Sequence, residues 1–414
     1  MKHYCAMKGM RNGKGIIAPA AIYIYLLIVT ALLLYAAVVL YQHFPNMYTW
    51  EELFINYEGG FIRRGLLGQL LFLADRVMPV SIGYLVLYTV LFYAFLYVSY
   101  KKLTSVFDQI VVAFLFLSPL IFLLPVTDRY VFGRKDVFIE IILLCVAHVC
   151  VTCLTQEKAP LYKNTLLISL LFMTGMLIHE TIIFYFPLFA VLLGIAYARQ
   201  KKVAQWLCVT GILFSTALLL FAVIFVGGAG MREAICASWR QSYPGLTCEK
   251  ALRFIGISLH FNITNAFQFH MNRVTLGSVC LGAFLGGMPL LFLWKAYRPY
   301  AAIRELLSAS FVLRLAFWPA AFAPIIALAI NIDYGRFLSI AFVSYLFFLY
   351  AVFAVRPQAA APWLHKLKEV LAASPRLRCA AYLFAMAYGL CWRMVHFQPN
   401  GESLVIPGVL LYLQ

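Results

Sequence analysis

The feature that most constrains this chain is a series of apolar runs, each about 20 residues long, separated by short polar links. A run of that length is what an α-helix needs to cross the hydrocarbon core of a bilayer. Apolar residues make up 64% of the 414 positions and charged residues only 12%, which is more apolar surface than a soluble protein could bury. The sequence therefore predicts an all-α fold: a polytopic transmembrane helical bundle that forms a single integral membrane domain over residues 1–414.

The hydropathy pattern predicts about 11 membrane spans. They are residues 16–41, 80–100, 110–126 and 137–154, the two arms of a hairpin within 165–198, and residues 203–226, 274–293, 311–330, 338–355 and 379–396. The run 165–198 is too long for one span and is interrupted by His179 and Glu180, which predicts a hairpin with its tip there. The first run is longer than the core of a signal peptide and has no small-residue cleavage site, so it is predicted to remain as an anchor.

The basic residues predict the orientation of these spans. Four lysines and arginines precede the first span, and each of the five short links on the same side carries at least two more. Cytoplasmic loops are enriched in such residues, so the N-terminus is predicted to be cytoplasmic and the C-terminus periplasmic. This arrangement accounts for most of the net charge of +17, and no nucleic-acid partner is expected.

The first periplasmic loop, residues 42–79, contains a charged stretch that is rich in glycine. Glu58, Arg63 and Arg64 lie there among four glycines, and the pattern from Phe61 onward predicts an amphipathic helix in the membrane interface. Glycine lets backbone amides approach phosphate oxygens, and arginine binds them with a planar fork. The other interpretation is an interfacial helix whose arginines reach lipid headgroups.

The second periplasmic loop contains Arg129, Arg134, Lys135 and Asp136, together with Asp128. Part of this charge is expected to pair internally, for instance Asp128 with Arg134. The net charge of the stretch is nevertheless positive and leaves a base for a ligand. A purely structural ion-pair network is the alternative.

Two further polar pairs are predicted on the same side. His179 and Glu180 at the hairpin tip could act as a general base and its partner, and their spacing lacks the HExxH pattern of zinc proteases. The alternative is a satisfied core histidine beside a Glu180–arginine salt bridge. Asp333 and Arg336 precede the tenth span and could equally tie two elements together. Structural ion pairs alone have no reason to choose one face, so we expect these groups to meet in one cavity.

The long periplasmic loop, residues 227–273, has a different composition. Arg240, Trp239 and Tyr243 suit sugar hydroxyls and ring faces, and they equally suit an amphipathic lid. Cys236 and Cys248 lie in this loop, where a disulfide and two free thiols both remain open.

In layout, these features resemble the O-antigen and exopolysaccharide polymerases of bacteria. Arg240 and Gly256 match the Arg-x15-Gly pattern of that family's periplasmic loops. The resemblance implies a metal-independent membrane glycosyltransferase, without cofactor, in the bacterial inner membrane. It would polymerise or transfer a glycan from a polyprenyl-diphosphate carrier at the periplasmic face, in contact with membrane lipids and other polysaccharide-assembly proteins.

The resemblance also implies roles for the polar residues. The candidate catalytic residues are Glu58, His179 and Glu180, of which His179 or a carboxylate would deprotonate the acceptor hydroxyl. The candidate substrate-binding residues, whose bases would hold the diphosphate, are Arg63, Arg64, Arg129, Arg134, Lys135, Asp136, Arg240, Asp333 and Arg336.

Two other functions remain open. A transferase similar to the polyprenyl-phosphate-sugar-dependent class would place its catalytic acid in the first periplasmic loop, at Glu51, Glu52 or Glu58. A lipid-linked glycan transporter or flippase would show an inverted repeat and charges near the membrane midplane. No repeat is evident, and most of the charges lie at the periplasmic face.

Overall fold

The computed structural model describes residues 19–128, 130–156, 160–224, 229–256, 264, 268, 273–329, 333–394 and 405–407. Its first ten helices are α1 (Pro19–Gln42), α2 (Tyr48–Leu53), α3 (Gly65–Ala74), α4 (Val80–Thr104), α5 (Gln109–Phe116), α6 (Leu124–Thr127), α7 (Asp136–Thr155), α8 (Leu161–Ile178), α9 (Ile182–Tyr185) and α10 (Pro187–Arg199). The remaining helices are α11 (Val203–Ile224), α12 (Ala229–Arg240), a 3-10 helix (Ala251–Gly256), α13 (Arg273–Tyr297), α14 (Tyr300–Leu307), α15 (Phe311–Ala329), α16 (Tyr334–Val355), α17 (Pro362–Ala373) and α18 (Pro375–Leu390). Two three-residue strands, β1 (Trp392–Met394) and β2 (Val405–Pro407), pair antiparallel.

Within the described ranges, 8 helices are long and apolar enough to cross a membrane. They are α1, α4, α7, α8, α11, α13, α15 and α16. Each coincides with one of the predicted spans. The all-helical, multi-pass character predicted from hydropathy is therefore confirmed.

The other three predicted spans are shorter or interrupted helices. Residues 110–126 form α5 and α6, separated by a buried non-helical segment that contains Pro119. Proline lacks an amide hydrogen and disfavours helix in the residue before it, so a continuous helix ends near Ser118. Pro187 likewise separates the 4-residue α9 from the 13-residue α10. The last predicted span is the 16-residue α18 followed by β1.

Helices α7 and α16 form the centre of the bundle. They pack against each other more extensively than any other pair, and most of their side chains are buried. Helices α1 and α11 lie at the periphery and expose apolar side chains such as Leu27 and Leu219. Apolar residues on all faces are typical of helices that face either protein or lipid. The N-termini of α7 and α16 therefore bring their charged first turns to the interior of the bundle.

The first loop folds into two short helices. Helix α3 begins at Gly65, later than the predicted start at Phe61, because Arg64 adopts a left-handed backbone conformation with φ of 61°. Arg63 and Arg64 therefore lie in the turn before the helix. Gly68 lies against the end of α2, and a Cβ there would be 1.9 Å from the carbonyl oxygen of Ile55. Only glycine allows this close approach.

The described part of the long loop packs onto the first loop. The Trp239 indole nitrogen donates to the carbonyl of Phe54 at 2.7 Å, and both rings stack. The Glu51 carboxylate accepts hydrogen bonds from the backbone amides of Lys250 and Leu252. Cys236 and Cys248 form a disulfide and are not free thiols, which decides between the two alternatives that the sequence left open. Glu51 thus anchors this loop.

Candidate functional site

Ten titratable side chains from four separate segments meet at the end of the bundle where α7 and α16 begin. We call this group the ionic network. Its members are Glu52, Arg63, Arg64, Arg134, Lys135, Asp136, His179, Glu180, Asp333 and Arg336. Eight are buried, while Arg64 and Asp333 are partly exposed. The sequence predicted that these four segments share one face, and the structure brings them into contact.

Glu52, on α2, lies at the centre of the ionic network. Its carboxylate accepts from Arg134 Nε at 2.7 Å and from Arg64 Nη1 at 3.0 Å, while Arg336 Nη2 lies 3.9 Å away. Burial alone would raise the pKa of Glu52, but the guanidinium groups, that of Arg134 first, hold this pKa well below its ordinary value. Glu52 is therefore ionised and joins three loops.

Glu180 neutralises the arginines of the first loop. Arg64 donates from Nε to Oε2 at 3.0 Å and from Nη2 to Oε1 at 2.8 Å, and Arg63 Nη1 lies 3.9 Å from Oε1. Burial opposes ionisation of Glu180, but these charges outweigh it and lower its pKa. The Glu180–arginine salt bridge considered as the structural alternative is therefore present.

Asp136 and Arg336 connect the first turns of the two central helices. Arg336 donates to both carboxylate oxygens of Asp136 at 2.7 Å and to Asp333 at 2.7 Å. Asp136 is the first residue of α7, where the helix dipole also favours a negative charge. Arg134 pairs with Asp333 at 3.5 Å and with Glu52, rather than with Asp128 as expected.

Lys135 contributes a base without a matching carboxylate in the described part of the chain. Its Nζ donates to the carbonyl of Arg64 at 2.6 Å, which supports the left-handed turn before α3. Burial lowers the pKa of Lys135 to about 7. The ionic network thus contains five bases and four carboxylates besides its histidine, and the charge of Lys135 is the surplus.

His179 interrupts the helical hairpin and points into the ionic network. It is 1% exposed and has an extended backbone, which ends α8. Its Nδ1 lies 2.9 Å from Thr181 Oγ1. Its Nε2 is buried, has no hydrogen-bond partner among the described residues and lies 3.9 Å from Glu52. Burial, assisted by Arg64, lowers the pKa of His179 to about 3, so the ring is neutral.

Three predicted site residues are not placed in the ionic network. Glu58 is exposed, and within the described part of the chain its side chain accepts one hydrogen bond, at 3.5 Å, from Gln69. Arg240 donates to the carbonyls of Leu246 and Thr247 and so holds the disulfide loop. Arg129 lies outside the described residues.

Sequence reasoning gave too little weight to two acidic residues. Glu52 was only one of three alternatives for a catalytic acid, yet it bridges the loops. Glu140 was not selected at all, although it is the one acidic residue inside the predicted span 137–154. A carboxyl group at such a position is a signal in itself, since ionisable residues in spans are rare. Among the described residues, no three potential ligands lie where they could hold a metal ion.

The chain matches no protein-family model, no curated protein and no solved structure. Its fold and ionic network therefore define it only as a multi-pass helical membrane protein with a buried, polyvalent cluster of bases and acids at one end. Such a cluster can hold an anion by charge-assisted hydrogen bonds, and a neutral imidazole beside it can accept a proton.

Proposed function

We propose that this protein is a membrane glycosyltransferase that transfers or polymerises glycan from a polyprenyl-diphosphate carrier at the ionic network. The observation that supports the proposal most is the convergence of five bases and a neutral histidine from four segments of the chain. The diphosphate is the leaving group of this reaction, and its developing charge is stabilised by fixed cations. Arginines already oriented by carboxylates need little rearrangement when the ligand arrives.

Within this proposal, His179 is the best-placed base. Its Nε2 is a buried polar atom without a hydrogen-bond partner among the described residues, whereas both oxygens of Glu180 accept hydrogen bonds from Arg64. The resting pKa of His179, about 3, makes it a weak base, and an adjacent diphosphate would raise that pKa. Glu180 and Glu52 then act as positioning residues for the arginines.

We further propose that the chain crosses the membrane eleven times, with the ionic network at the periplasmic face. The interrupted segment α5–α6 supports this count. At its start, the Asp108 carboxylate pairs with Lys368 of α17, the helix before α18. At its end, the carbonyl of Thr127 accepts from Arg393 of β1, which follows α18. The two ends of the segment thus contact the elements that precede and follow α18, which supports a crossing. The disulfide in the long loop suits the oxidising periplasm.

The test is glycan transfer by the purified protein in lipid nanodiscs. The donor is a fluorescent polyprenyl-diphosphate oligosaccharide, and elongation is read on a gel. We expect His179→Asn to lower the rate by about 10²-fold or more, the usual effect of losing a general base. Arg232→Gln is the matched control, since it removes an exposed ion pair with Glu249 outside the ionic network. Full activity of a folded His179→Asn protein would exclude the proposed role of His179, and loss of activity in Glu58→Gln would move catalysis to the exposed loop.

A second candidate is a transferase that uses a polyprenyl-monophosphate sugar. It is favoured by one observation: an acidic residue of the first loop, Glu52, lies at the centre of the ionic network. The two candidates differ in their donor. Transfer of one sugar from a polyprenyl monophosphate, with no reaction of the diphosphate oligosaccharide, would select the second.

A further inference from the structure

Glu140 is a buried carboxyl group inside the membrane-embedded part of the bundle, and the ionic network does not use it. It is 2% exposed and lies on α7, four residues after Asp136. Residues four apart on a helix share a face, with Cβ atoms about 5–6 Å apart. Glu140 therefore lies one helical turn deeper than the carboxylate that binds Arg336.

Among the described residues, Glu140 forms no salt bridge, and the groups that interact with it are an acid and hydroxyl groups. The hydroxyl group of Ser339 on α16 lies beside its carboxyl group. Asp136 on its own helix, Tyr88 on α4 and Tyr185 on α9 are the other titratable groups that interact with it. Helices α8 and α10 also pack on α7, and their titratable residues lie in the terminal turns away from the ionic network: Tyr162 and Lys163 at the start of α8, and Tyr197 and Arg199 at the end of α10. Each salt bridge of Arg336 in the same ranges goes to another carboxylate.

A carboxylate in such surroundings is energetically unfavourable. Transferring an unpaired carboxylate from water into the protein interior costs far more free energy than transferring the neutral acid, so Glu140 keeps its proton. The nearby negative charge of Asp136 acts in the same direction. The bidentate contact with Arg336 offsets the charge of Asp136 only as long as the contact lasts.

We propose that Glu140 is a proton-binding site whose occupancy is coupled, through Asp136 and Arg336, to the binding of an anion at the ionic network. A phosphate-bearing ligand that takes hydrogen bonds from Arg336 leaves Asp136 less compensated. Glu140 one turn away then holds its proton more tightly. By reciprocity, protonated Glu140 favours the anion. The coupling rests on the proposed function, whereas the proton-binding site itself does not.

The proton-binding site is tested by infrared titration of the protein in lipid nanodiscs. The wild type should show the carbonyl-stretch band of a protonated carboxyl group at pH values where exposed carboxyl groups are ionised. Glu140→Gln keeps the side-chain volume and should abolish this band, and Glu58→Gln, which changes an exposed carboxylate, should retain it. Ser339→Ala leaves the carboxyl group in place and should shift the band. A spectrum unaffected by both Glu140→Gln and Ser339→Ala would overturn the proposal.

The coupling is tested by calorimetry with a short-chain isoprenyl diphosphate ester of glucose. This diester keeps its charge across the neutral range, so a proton taken up on binding belongs to the protein. Heats are measured in two buffers of different ionisation enthalpy, at pH values where the infrared band shows Glu140 to be partly ionised. Proton uptake per ligand should be greater, by up to one proton, in the wild type than in Glu140→Gln, where Lys135 and His179 are the remaining groups that the anion can protonate. In the pH range where Glu140 ionises, affinity should fall by up to about tenfold per pH unit.

The outcomes separate the two proposals. Binding with the same proton uptake in the wild type and in Glu140→Gln refutes the coupling and leaves the proposed function intact. Absence of binding refutes the proposed function, and the coupling with it, even when the infrared band is present.

Discussion

The replacement Glu52→Gln tests whether the ionic network holds the loops together. Glutamine keeps the shape of the side chain but removes the charge that Arg134 and Arg64 bind at 2.7 and 3.0 Å. Glu52 and Arg134 are each 1% exposed at the side chain, so the arginine cannot exchange its lost partner for water. Removing one member of a buried pair costs about 3–5 kcal/mol, because the remaining charge is left uncompensated. We expect Glu52→Gln to lower the free energy of unfolding by that amount.

The matched control is Glu249→Gln, which removes a carboxylate of the same type from a pair that is 31% and 64% exposed. An exposed pair contributes about 0–1 kcal/mol, so this variant should unfold almost like the wild type. The assay is equilibrium unfolding in mixed micelles, followed by helical circular dichroism. The double variant Glu52→Gln, Arg134→Gln should recover part of the loss, since the two residues interact directly. Equal stability of the two single variants would refute the reasoning.

Three further predictions follow from local geometry. Gly68→Ala should lower the free energy of unfolding by about 1–3 kcal/mol, because the new Cβ would overlap the carbonyl of Ile55. Gly211→Ala adds a Cβ in open space and should not lower it, and thermal unfolding compares the two variants. Burial lowers the pKa of Lys135 from 10.5 to about 7, so between these pH values Lys135 is protonated in the unfolded chain and neutral in the folded protein. The free energy of unfolding should therefore rise with pH across that interval. Lys135→Met should reduce this rise when unfolding is measured at several pH values. Cys236→Ser should cost about 2–4 kcal/mol, and a reductant should then have no further effect on unfolding of the loop.

The sequence predicted the membrane helices well where apolar runs are uninterrupted. The predicted starts of the spans at Val80 and Val203 coincide with the observed helix starts. It failed at two prolines, Pro119 and Pro187, which interrupt the helix within an apolar run, whereas Pro289, Pro319 and Pro324 lie inside continuous helices. Hydropathy measures the preference for lipid or protein interior, and a buried non-helical segment is as apolar as a helix. The interruption of the helix follows instead from the amide hydrogen that proline lacks.

The site was predictable in part. The polar motifs of the loops lie almost entirely on one predicted side of the membrane, and this pattern predicted that Arg64, Arg134 and His179 would share one end. Which partner each one takes was not evident. The pairing of Arg134 with Glu52 joins residues that lie 82 positions apart, and no local pattern encodes it. Sequence distance instead favoured Asp128, the nearer acid.

The solvent exposure of Glu58 was also not evident from the sequence. Glu51, Glu52 and Glu58 have the same side chain and lie in one loop, yet one binds backbone amides, one binds arginines and one faces solvent. Their directions depend on the short helix α2 and on the turn that follows it. Both are set by packing against the long loop, which is distant in sequence.

The central claim is that the ionic network binds the phosphate groups of a lipid-linked glycan. The most direct measurement is an experimental structure of the protein in nanodiscs with the short-chain isoprenyl diphosphate ester of glucose bound. We expect the diphosphate to lie within hydrogen-bond distance of Arg64, Lys135 and Arg336, with the sugar facing His179 Nε2. Two results would contradict the central claim. One is a diphosphate bound at the disulfide loop. The other is a ligand-saturated structure in which each ion pair of Glu52 and Glu180 is intact and the ligand contacts neither residue.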